Sequence, residues 1–487
     1  MKAASLRQFL SAHSWMGLFA GMALFIAFYV GAITVFTHEL GGWPRRAAAV
    51  APPAQATEQA AQALADAVLA RYPALAESFT LTLPDEHGAP PRLYAFGPPA
   101  QPFGGTVQFQ PGADGQPLPL PQRSGFVGFL YDLHFTGGLP RTLCTYLSGV
   151  VCIFYGLALV SGVVLYAPVF LKGLFALRAG RNVKRLWQDA RNVIGMLSLP
   201  FHAIFAWSGA VLALGVLLPA HIKAPLLPVA DLLARARAAS PGFAPDSLSF
   251  HDAGDANARV EIYGQPPQRR LNTLAGVAME AATGKVLRVL APQTMAPGVA
   301  SLRGLQALHY ANFGGAPLRW LYFLLGLGGA FLFYTGNLLW VEARRKRRQQ
   351  AQPWRTHAMA RLTVGLCLGC VAGVSALFVA ARLLPPGQER VVYYAVFGLG
   401  VAWALLRPTA RGAYELLLAC AVLNALVPLA ALRGADGWVA PWSSTLLLAV
   451  DGCALALAWA YWQMARATHR RGRNGDPNSV WALPAKT

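Results

Sequence analysis

Two stretches decide the organisation of this chain: LYDLHFTGGLPR at residues 130–141 and LQALHYANFGGAPLR at residues 305–319. Each contains Leu-His-aromatic, then a Gly-Gly pair, a proline and an arginine, and each leads into a long apolar run. The same histidine therefore occurs twice at the start of a hydrophobic segment. This repetition predicts a duplicated unit.

The composition defines the protein class. Of the 487 residues, 55% are hydrophobic and only 13% are charged, which is too apolar for an ordinary soluble domain. Runs close to the roughly 18–20 apolar residues that cross a bilayer recur along the chain. We predict about eight transmembrane helices, at 14–37, 143–167, 193–218, 318–341, 358–384, 391–406, 412–432 and 443–464.

Positive charges predict the orientation. Basic segments follow the second, fourth and eighth predicted spans, as in EARRKRRQQ and ARATHRRGRN. They all fall on the cytoplasmic side if both termini are cytoplasmic. The net charge of +20 is then mainly a topology feature, and we expect no nucleic-acid partner because each basic run adjoins a span. The first apolar run exceeds a signal-peptide core, so we interpret it as a retained span in a bacterial inner membrane.

Two segments lie outside the predicted spans, and each reads as a helix followed by strands. The predicted fold is an all-α polytopic membrane protein that carries two small α+β units. The expected domain boundaries are 1–40, 41–142, 143–218, 219–317, 318–343, 344–357, 358–466 and 467–487.

The repeated histidines are candidate cofactor ligands. Duplicated halves would place His134 and His309 at the same depth, facing each other. Two opposed neutral imidazoles are what one six-coordinate haem iron requires for electron transfer. The alternative is that each histidine is an interfacial polar residue at a helix end.

A second pair lies toward the cytoplasmic side. His13 precedes the first span and His202 lies within the third, where an ionisable side chain suggests a function. This pair predicts a second haem, with the bend at Pro200 reducing their difference in depth. His38 is an alternative outer ligand and His357 an alternative inner one.

Other polar residues of the predicted spans have weaker assignments. Arg141 and Arg319 could pair with haem propionates in a forked geometry, or could extend toward the membrane surface. The cysteines of CLGC at 367–370 are interpreted as small packing residues, with no disulfide and no metal. Asp451 could serve a proton path or hydrogen-bond within the helix bundle.

The segments HSWMGLFAG, LHFTGGLPRTL, SLPFHAIFAWSG, ALHYANFGG and YTGNLLW together resemble the PepSY-associated transmembrane family over about residues 1–345. ATGKVLR is similar to the end of a PepSY unit. The resemblance implies two PepSY-like periplasmic units and haem b, one or two per chain, on His13, His134, His202 and His309. Where the family often has a histidine near the start of the third span, this chain has Ala190 and Arg191.

Members of this family include ferric-siderophore reductases. The resemblance therefore implies a haem oxidoreductase that reduces the Fe(III) of a periplasmic ferric siderophore to Fe(II). We assign no catalytic residue. No outside segment is large enough for a nicotinamide or flavin site, so a membrane quinol or a cytoplasmic donor must supply the electrons. The alternatives are a siderophore or solute transporter and a non-enzymatic PepSY binding or regulatory protein.

Overall fold

The computed structural model describes residues 3–44, 58–84, 90–96, 106–112, 116–119, 125–166, 195, 198–214, 226–251, 258–265, 275–290, 297–311, 313–343, 352–385, 387–433, 444–474, 476–477 and 479–483. Contacts between residues divide the chain into two compact units. The membrane unit contains Met1–Ala47, Ser124–Val216 and Ala316–Thr487. The sheet unit contains Ala48–Arg123 and Leu217–Gly315.

The membrane unit is helical throughout its described part. Its helices are α1 (Ala3–Thr34), α2 (Thr37–Leu40), α4 (Phe126–Thr136), α5 (Arg141–Tyr166), α6 (Leu199–Leu214), α9 (Gly315–Ala343), α10 (Trp354–Leu383), α11 (Glu389–Leu406), α12 (Thr409–Ala431) and α13 (Thr445–Asn474). The first residue of α9 belongs to the sheet unit. Helices are expected here because a bilayer leaves no water to satisfy backbone polar groups.

Six of these helices are long and apolar enough to cross a membrane: α5 and each helix from α9 to α13. The eight predicted spans are therefore confirmed only in part. The first and third predicted spans correspond to shorter apolar helices, Ala20–Thr34 and Leu199–Val211. In the third, residues 193–194, 196–197 and 215–218 lie outside the described residues.

Glycines bring α10 and α11 into close contact. A β-carbon added at Gly400 would lie 2.9 Å from the Cα of Gly369, so a larger side chain at position 400 would push the two helices apart. Cys367 and Cys370 flank Gly369, are buried and hold free thiols. The CLGC segment is therefore a packing element, as predicted.

Within the residues that the structure describes, the sheet unit contains three helices, a short 3₁₀ helix and eight strands. Its helices are α3 (Glu58–Arg71), α7 (Val229–Ala239) and α8 (Pro297–Tyr310), and the 3₁₀ helix is Pro73–Glu77. The strands are β1 (Ser78–Thr82), β2 (Arg92–Phe96), β3 (Thr106–Pro111), β4 (Pro117–Pro119), β5 (Ala244–His251), β6 (Arg259–Gln265), β7 (Ala275–Glu280) and β8 (Val286–Leu290).

All eight strands form one antiparallel sheet in the order β4-β3-β2-β1-β5-β6-β7-β8. The first four strands come from the first outside segment and the last four from the second, and β1 pairs with β5 along five residues. The interpretation of two separate α+β units is therefore wrong. Each half has an edge strand, and pairing the two edges satisfies backbone groups that would otherwise remain open.

One face of this sheet is apolar and the other polar. An apolar row crosses seven strands, through Phe109, Leu93, Leu81, Leu248, Ile262, Val277 and Val289. Helices α3 and α7 supply the other side of this core, with Leu64, Val68 and Leu233 fully or almost fully buried. The two helices are joined by a 2.6 Å ion pair between Arg237 and Glu58. The alternation along each strand follows from a sheet buried on one face only.

Candidate functional site

His134 is held against α1 by a specific hydrogen bond. It lies in the last turn of α4, whose apolar face buries Phe126, Phe129 and Leu133. Its Nδ1 lies 2.8 Å from the carbonyl oxygen of Ala27. A β-carbon at Gly31 would lie 2.7 Å from the same nitrogen, so only glycine leaves room for the imidazole there.

This contact determines the protonation of the ring. A carbonyl oxygen only accepts hydrogen bonds, so Nδ1 carries the proton and donates it to Ala27. In the neutral ring the basic lone pair is then on Nε2. Burial lowers the pKa of His134, with the hydrogen bond to Ala27 opposing that shift in part. A neutral imidazole oriented through its second nitrogen is the form that binds metal ions.

The Gly-Gly pair ends α4 and turns the chain toward α5. Gly137 and Gly138 have φ angles of 65° and 79°, a left-handed conformation that a residue with a β-carbon adopts at a cost. Their N–H groups donate to the carbonyls of Leu133 and Asp132 at 3.1 and 3.0 Å. This arrangement is a common helix C-terminal cap.

The C-terminal helices support the histidine helix. Arg390 of α11 pairs with Asp132 at 2.7 Å, and the hydroxyl of Tyr394 donates to the carbonyl of Gly138 at 2.6 Å. The guanidinium of Arg390 also lies 5.2 Å from the ring centre of Phe129. Helix α11 therefore fixes both the helix that carries His134 and the turn that follows it.

His202 is surrounded by aromatic rings inside the membrane unit. Its side chain is 4% exposed, with ring centroids of Phe28 at 5.3 Å, Phe201 at 6.0 Å and Phe333 at 6.2 Å. Its Nδ1 is hydrogen-bonded to the hydroxyl of Tyr155. The Nε2 is buried and has no hydrogen-bond partner among the described residues.

An unpartnered buried ring nitrogen is an uncommon feature. Buried polar groups are almost always paired, because leaving one unpaired costs about 1–3 kcal/mol. When Nδ1 donates to Tyr155, Nε2 presents a lone pair toward an aromatic surround. Gly329 packs closely against this ring, since a β-carbon there would lie 3.2 Å from the Cε1 of His202 and would also meet the ring of Phe28. His202 therefore stays a candidate cofactor ligand.

His134 and His202 lie beside the same turn of α1. His134 contacts Ala27 and Gly31, while His202 packs on Phe28, one residue from Ala27. This proximity was not predicted, because the sequence analysis placed His134 near the outer surface and His202 nearer the inner one. His13 precedes Phe28 by 15 residues on α1, or about 22 Å at 1.5 Å per residue. At this separation along α1, His13 and His202 are too far apart to bind the same haem.

The second copy of the motif lies in the sheet unit. His309 is in the last turn of α8, half-buried, with its ring edge against Tyr310 at 5.4 Å. The helix ends at Tyr310, and the next residue, Ala311, has a φ of 53°, in the left-handed region that Gly137 occupies in the first copy with a φ of 65°. The facing of His134 and His309 stays a prediction, since each belongs to a different unit.

The other predicted haem ligands and propionate partners are placed differently in the structure. Arg319 forms an ion pair with Glu39 and lies 5.7 Å over the ring of Phe36, so its guanidinium already has a carboxylate partner. The side chains of Arg141, His13 and His38 lie outside the described residues. His357 is half-buried in the first turn of α10. Among the described residues, no group of three or more His, Cys, Asp or Glu could hold a metal ion.

The residues that position the histidines were not among the predicted site residues. Tyr155, Phe28 and Gly31 are the important ones, and each stands in an apolar run where it resembles an ordinary packing residue. The available hint was GAIT at 31–34, a glycine near the end of the first span that could admit a side chain from another helix.

Comparison with known proteins identifies the family of this chain. An uncharacterized protein of Pseudomonas aeruginosa is 28% identical over 386 residues, which cover 68% of this chain and 92% of that protein. Residues 10–343 match the family described as the PepSY-associated TM region, and the match ends at the last residue of α9. It includes both histidine motifs and the whole sheet unit, and it leaves out α10 to α13. The chain therefore belongs to the PepSY-associated transmembrane family.

Proposed function

We propose that this membrane protein is a haem b oxidoreductase that reduces the Fe(III) of a ferric siderophore to Fe(II) in the periplasm. The observation that carries the proposal is the pair His134 and His202 beside one turn of α1. Each imidazole has its Nδ1 engaged, by Ala27 in one case and by Tyr155 in the other. In both rings Nε2 is then the nitrogen suited to an iron ligand.

The surroundings of these histidines fit a haem. A porphyrin is a flat apolar ring, and His202 lies among Phe28, Phe201 and Phe333. Gly31 and Gly329 supply the positions without side chains beside the two imidazoles. When bound by histidine, haem supplies a one-electron Fe(III)/Fe(II) couple. The protein contributes the ligands, their orientation and the exclusion of water.

His309 remains a proposed ligand because the histidine motif is duplicated. Its place in the second motif corresponds to that of His134 in the first. His13 would then belong to a second haem nearer the N-terminal end of α1, with a partner other than His202. Arg141 and Arg319 remain proposed propionate partners, although Arg319 would have to share its guanidinium with Glu39.

Orientation supports a periplasmic reaction. We infer from the basic segments that both termini lie in the cytoplasm of a bacterium, with the protein in its inner membrane. The turn of α1 at Ala27–Gly31 lies near the C-terminal end of the helix, which is then the outer end. Each electron converts one Fe(III) to Fe(II), and Fe(II) is held less tightly by hard oxygen ligands. The iron is therefore released.

The polar face of the sheet is the proposed docking surface for the siderophore. Thr80 and Ser249 share a 3.0 Å hydrogen bond where the two halves meet, and Tyr94 and Glu261 continue the same row on either side. Because the halves form one sheet, a cleft between two separate units is not available for the substrate.

The test is the absorption spectrum of the purified protein, oxidised and dithionite-reduced, with a pyridine haemochrome count. We expect a b-type reduced band with one or two haems per chain. His134→Ala and His202→Ala should each remove about one haem, and His309→Ala tests the duplicated motif. His251→Ala is the control, because this histidine is exposed at the last residue of β5 in the sheet unit. A colourless protein after haem supplementation would refute the reductase and favour the binding-module alternative.

A further inference from the structure

A cavity of about 320 Å³ lies inside the membrane unit, between the family core and the C-terminal helices. Helices α1, α2 and α9 form one wall and α10, α12 and α13 the other. Most of the lining is apolar, including Ile33, Trp320, Phe323, Phe378 and Leu457. Pockets of this volume between helices of a bundle are typical sites for small ligands.

A few polar groups line the cavity. Glu39 and Arg319 form their ion pair at the end that follows α1. Ser375 and Asn424 lie together in the opposite wall, with the amide of Asn424 donating to the hydroxyl of Ser375 at 2.9 Å. The cavity therefore suits a molecule with an apolar body and a small hydrogen-bonding head.

The Glu39 carboxylate gives the strongest indication of what that head is. One of its oxygens accepts from Arg319, whereas Oε2 is buried and has no hydrogen-bond partner among the described residues. A buried carboxylate oxygen without a partner requires a donor. A neutral ligand with a hydroxyl group would supply it. A phospholipid headgroup would instead bring a phosphate anion beside Glu39, which is electrostatically unfavourable.

We propose that this cavity binds a membrane quinol, which is the electron donor; this inference rests on the proposed reductase function. One quinol hydroxyl donates to Oε2 of Glu39, and the isoprenoid tail lies among the apolar side chains. On oxidation the quinol loses two electrons and two protons and becomes the quinone. The electrons reduce two Fe(III) to two Fe(II), one at a time, and the protons pass through Glu39 to water.

The position of the cavity matches this role. Tyr29 and Ile33 line it from α1. At 100° per residue these two positions share one face of the helix, and Ala27 and Gly31, which contact His134, lie on the opposite face. One helix thickness therefore separates the proposed donor site from the histidine that we assign as an iron ligand. The donor site and the acceptor site both adjoin the last two turns of α1.

Binding is measured with decylubiquinone on the full-length protein in detergent, by equilibrium dialysis. Ala449→Trp fills the cavity, because Ala449 is part of its lining, and we expect the dissociation constant to rise at least tenfold. Ala402→Trp is the matched control on the exposed face of α11.

Glu39→Gln should weaken binding about tenfold, whereas Glu415→Gln, in the ion cluster with Arg407 and Arg411, should not. Melting temperatures verify that each variant is folded.

The outcomes separate this proposal from the reductase itself. Decylubiquinol should reduce the b-type band of the wild-type protein and of Ala402→Trp, and reduce it slowly in Ala449→Trp. A normal haem spectrum with equal quinone binding in Ala449→Trp, or with no quinone binding in any variant, would overturn the quinol site and leave the reductase intact. A colourless protein would overturn the proposal that the quinol donates electrons to haem. A cavity occupied only by phospholipid acyl chains in native mass spectrometry, with no quinone binding, also overturns the proposal.

Discussion

The rings of Phe79 and Phe250 stack with centroids 4.7 Å apart and an angle of 16° between their planes. They belong to β1 and β5, which come from the two outside segments, and they are directly opposite in the register. Both are 2% exposed. This aromatic pair is therefore at the junction that turns two half-sheets into one.

Removing either ring should destabilise the sheet unit. We expect Phe79→Ala or Phe250→Ala to cost about 3–5 kcal/mol, because each leaves a cavity in the shared core. The double variant should cost less than the sum, since the stacking energy of about 0.5–1.5 kcal/mol is lost only once. Thermal unfolding with Leu287→Ala as the exposed control measures this. Strictly additive losses would mean that the two halves are not coupled through this pair.

The turn after α4 should depend on glycine. Gly138→Ala places a β-carbon 2.7 Å from the hydroxyl of Tyr394 at a φ of 79°. We expect a loss of about 2 kcal/mol or more and a lower melting temperature. Gly128→Ala is the control within α4, with nothing within 4 Å of the new β-carbon, and should stabilise by up to about 1 kcal/mol. An equal effect of both variants would contradict the role of the turn.

The ion pair between Asp132 and Arg390 should couple α4 to α11. Each side chain is partly buried, 14% and 33% exposed, so its contribution exceeds that of a surface pair. We expect Asp132→Asn and Arg390→Gln each to lower stability by about 1–2 kcal/mol, with a coupling energy near 1 kcal/mol in the double-mutant cycle. A coupling energy of zero would show that this ion pair does not hold α4 against α11.

Tyr155→Phe should change the midpoint potential of the site without changing its haem content. The variant keeps the aromatic ring beside His202 and removes the hydroxyl bonded to Nδ1. On the proposed function we expect unchanged haem content and a more positive midpoint potential, because an imidazole without this hydrogen bond is a weaker donor to Fe(III). Tyr322→Phe is the control, since its ring contacts Phe201 and Phe205. Equal potentials in both variants would remove Tyr155 from the site.

Tyr263 should make the sheet unit sensitive to alkaline pH. Burial raises the pKa of Tyr263 to about 12, with the hydrogen bond to Glu261 as a further cause. The ordinary value of 10 applies to the unfolded chain, so the folded state retains the proton over a wider range. The resulting stability is complete below pH 10 and is lost as the pH rises through 12. Melting temperatures between pH 9 and 12 should fall less steeply in Tyr263→Phe than in Tyr94→Phe.

The repeat and the strands could be predicted from the sequence because they depend on local pattern. FTLTLP and ARVEIYG alternate apolar and polar residues, and they form β1 and β6. The pairing of β1 with β5 could not be predicted in this way. It joins residues about 170 positions apart, and the same alternation suits an open edge, another strand or a separate domain.

For the candidate histidines too, the sequence predicts the residues but not their arrangement in the fold. His134 was identifiable because its motif is repeated, and His202 because an ionisable residue in an apolar segment is rare. Their common level beside Ala27 and Phe28 depends on how far α4 and α6 slide along α1. That register is set by tertiary contacts, such as the space above Gly31, and hydropathy contains no information about it.

The pairing of β1 with β5 also has a consequence for how the protein is made. Ser78 is synthesised 166 residues before Ala244, the first residue of β5. After β4 has been completed at Pro119 and before β5 follows, the first four strands have no partner for the backbone groups of β1 that pair with β5, and the stacking partner of Phe79 does not yet exist. An open edge strand is the part of a sheet that pairs with other chains. The nascent chain is therefore prone to aggregation between the synthesis of the first and the second outside segment. A chain truncated between these segments would keep the unpaired edge of β1 permanently.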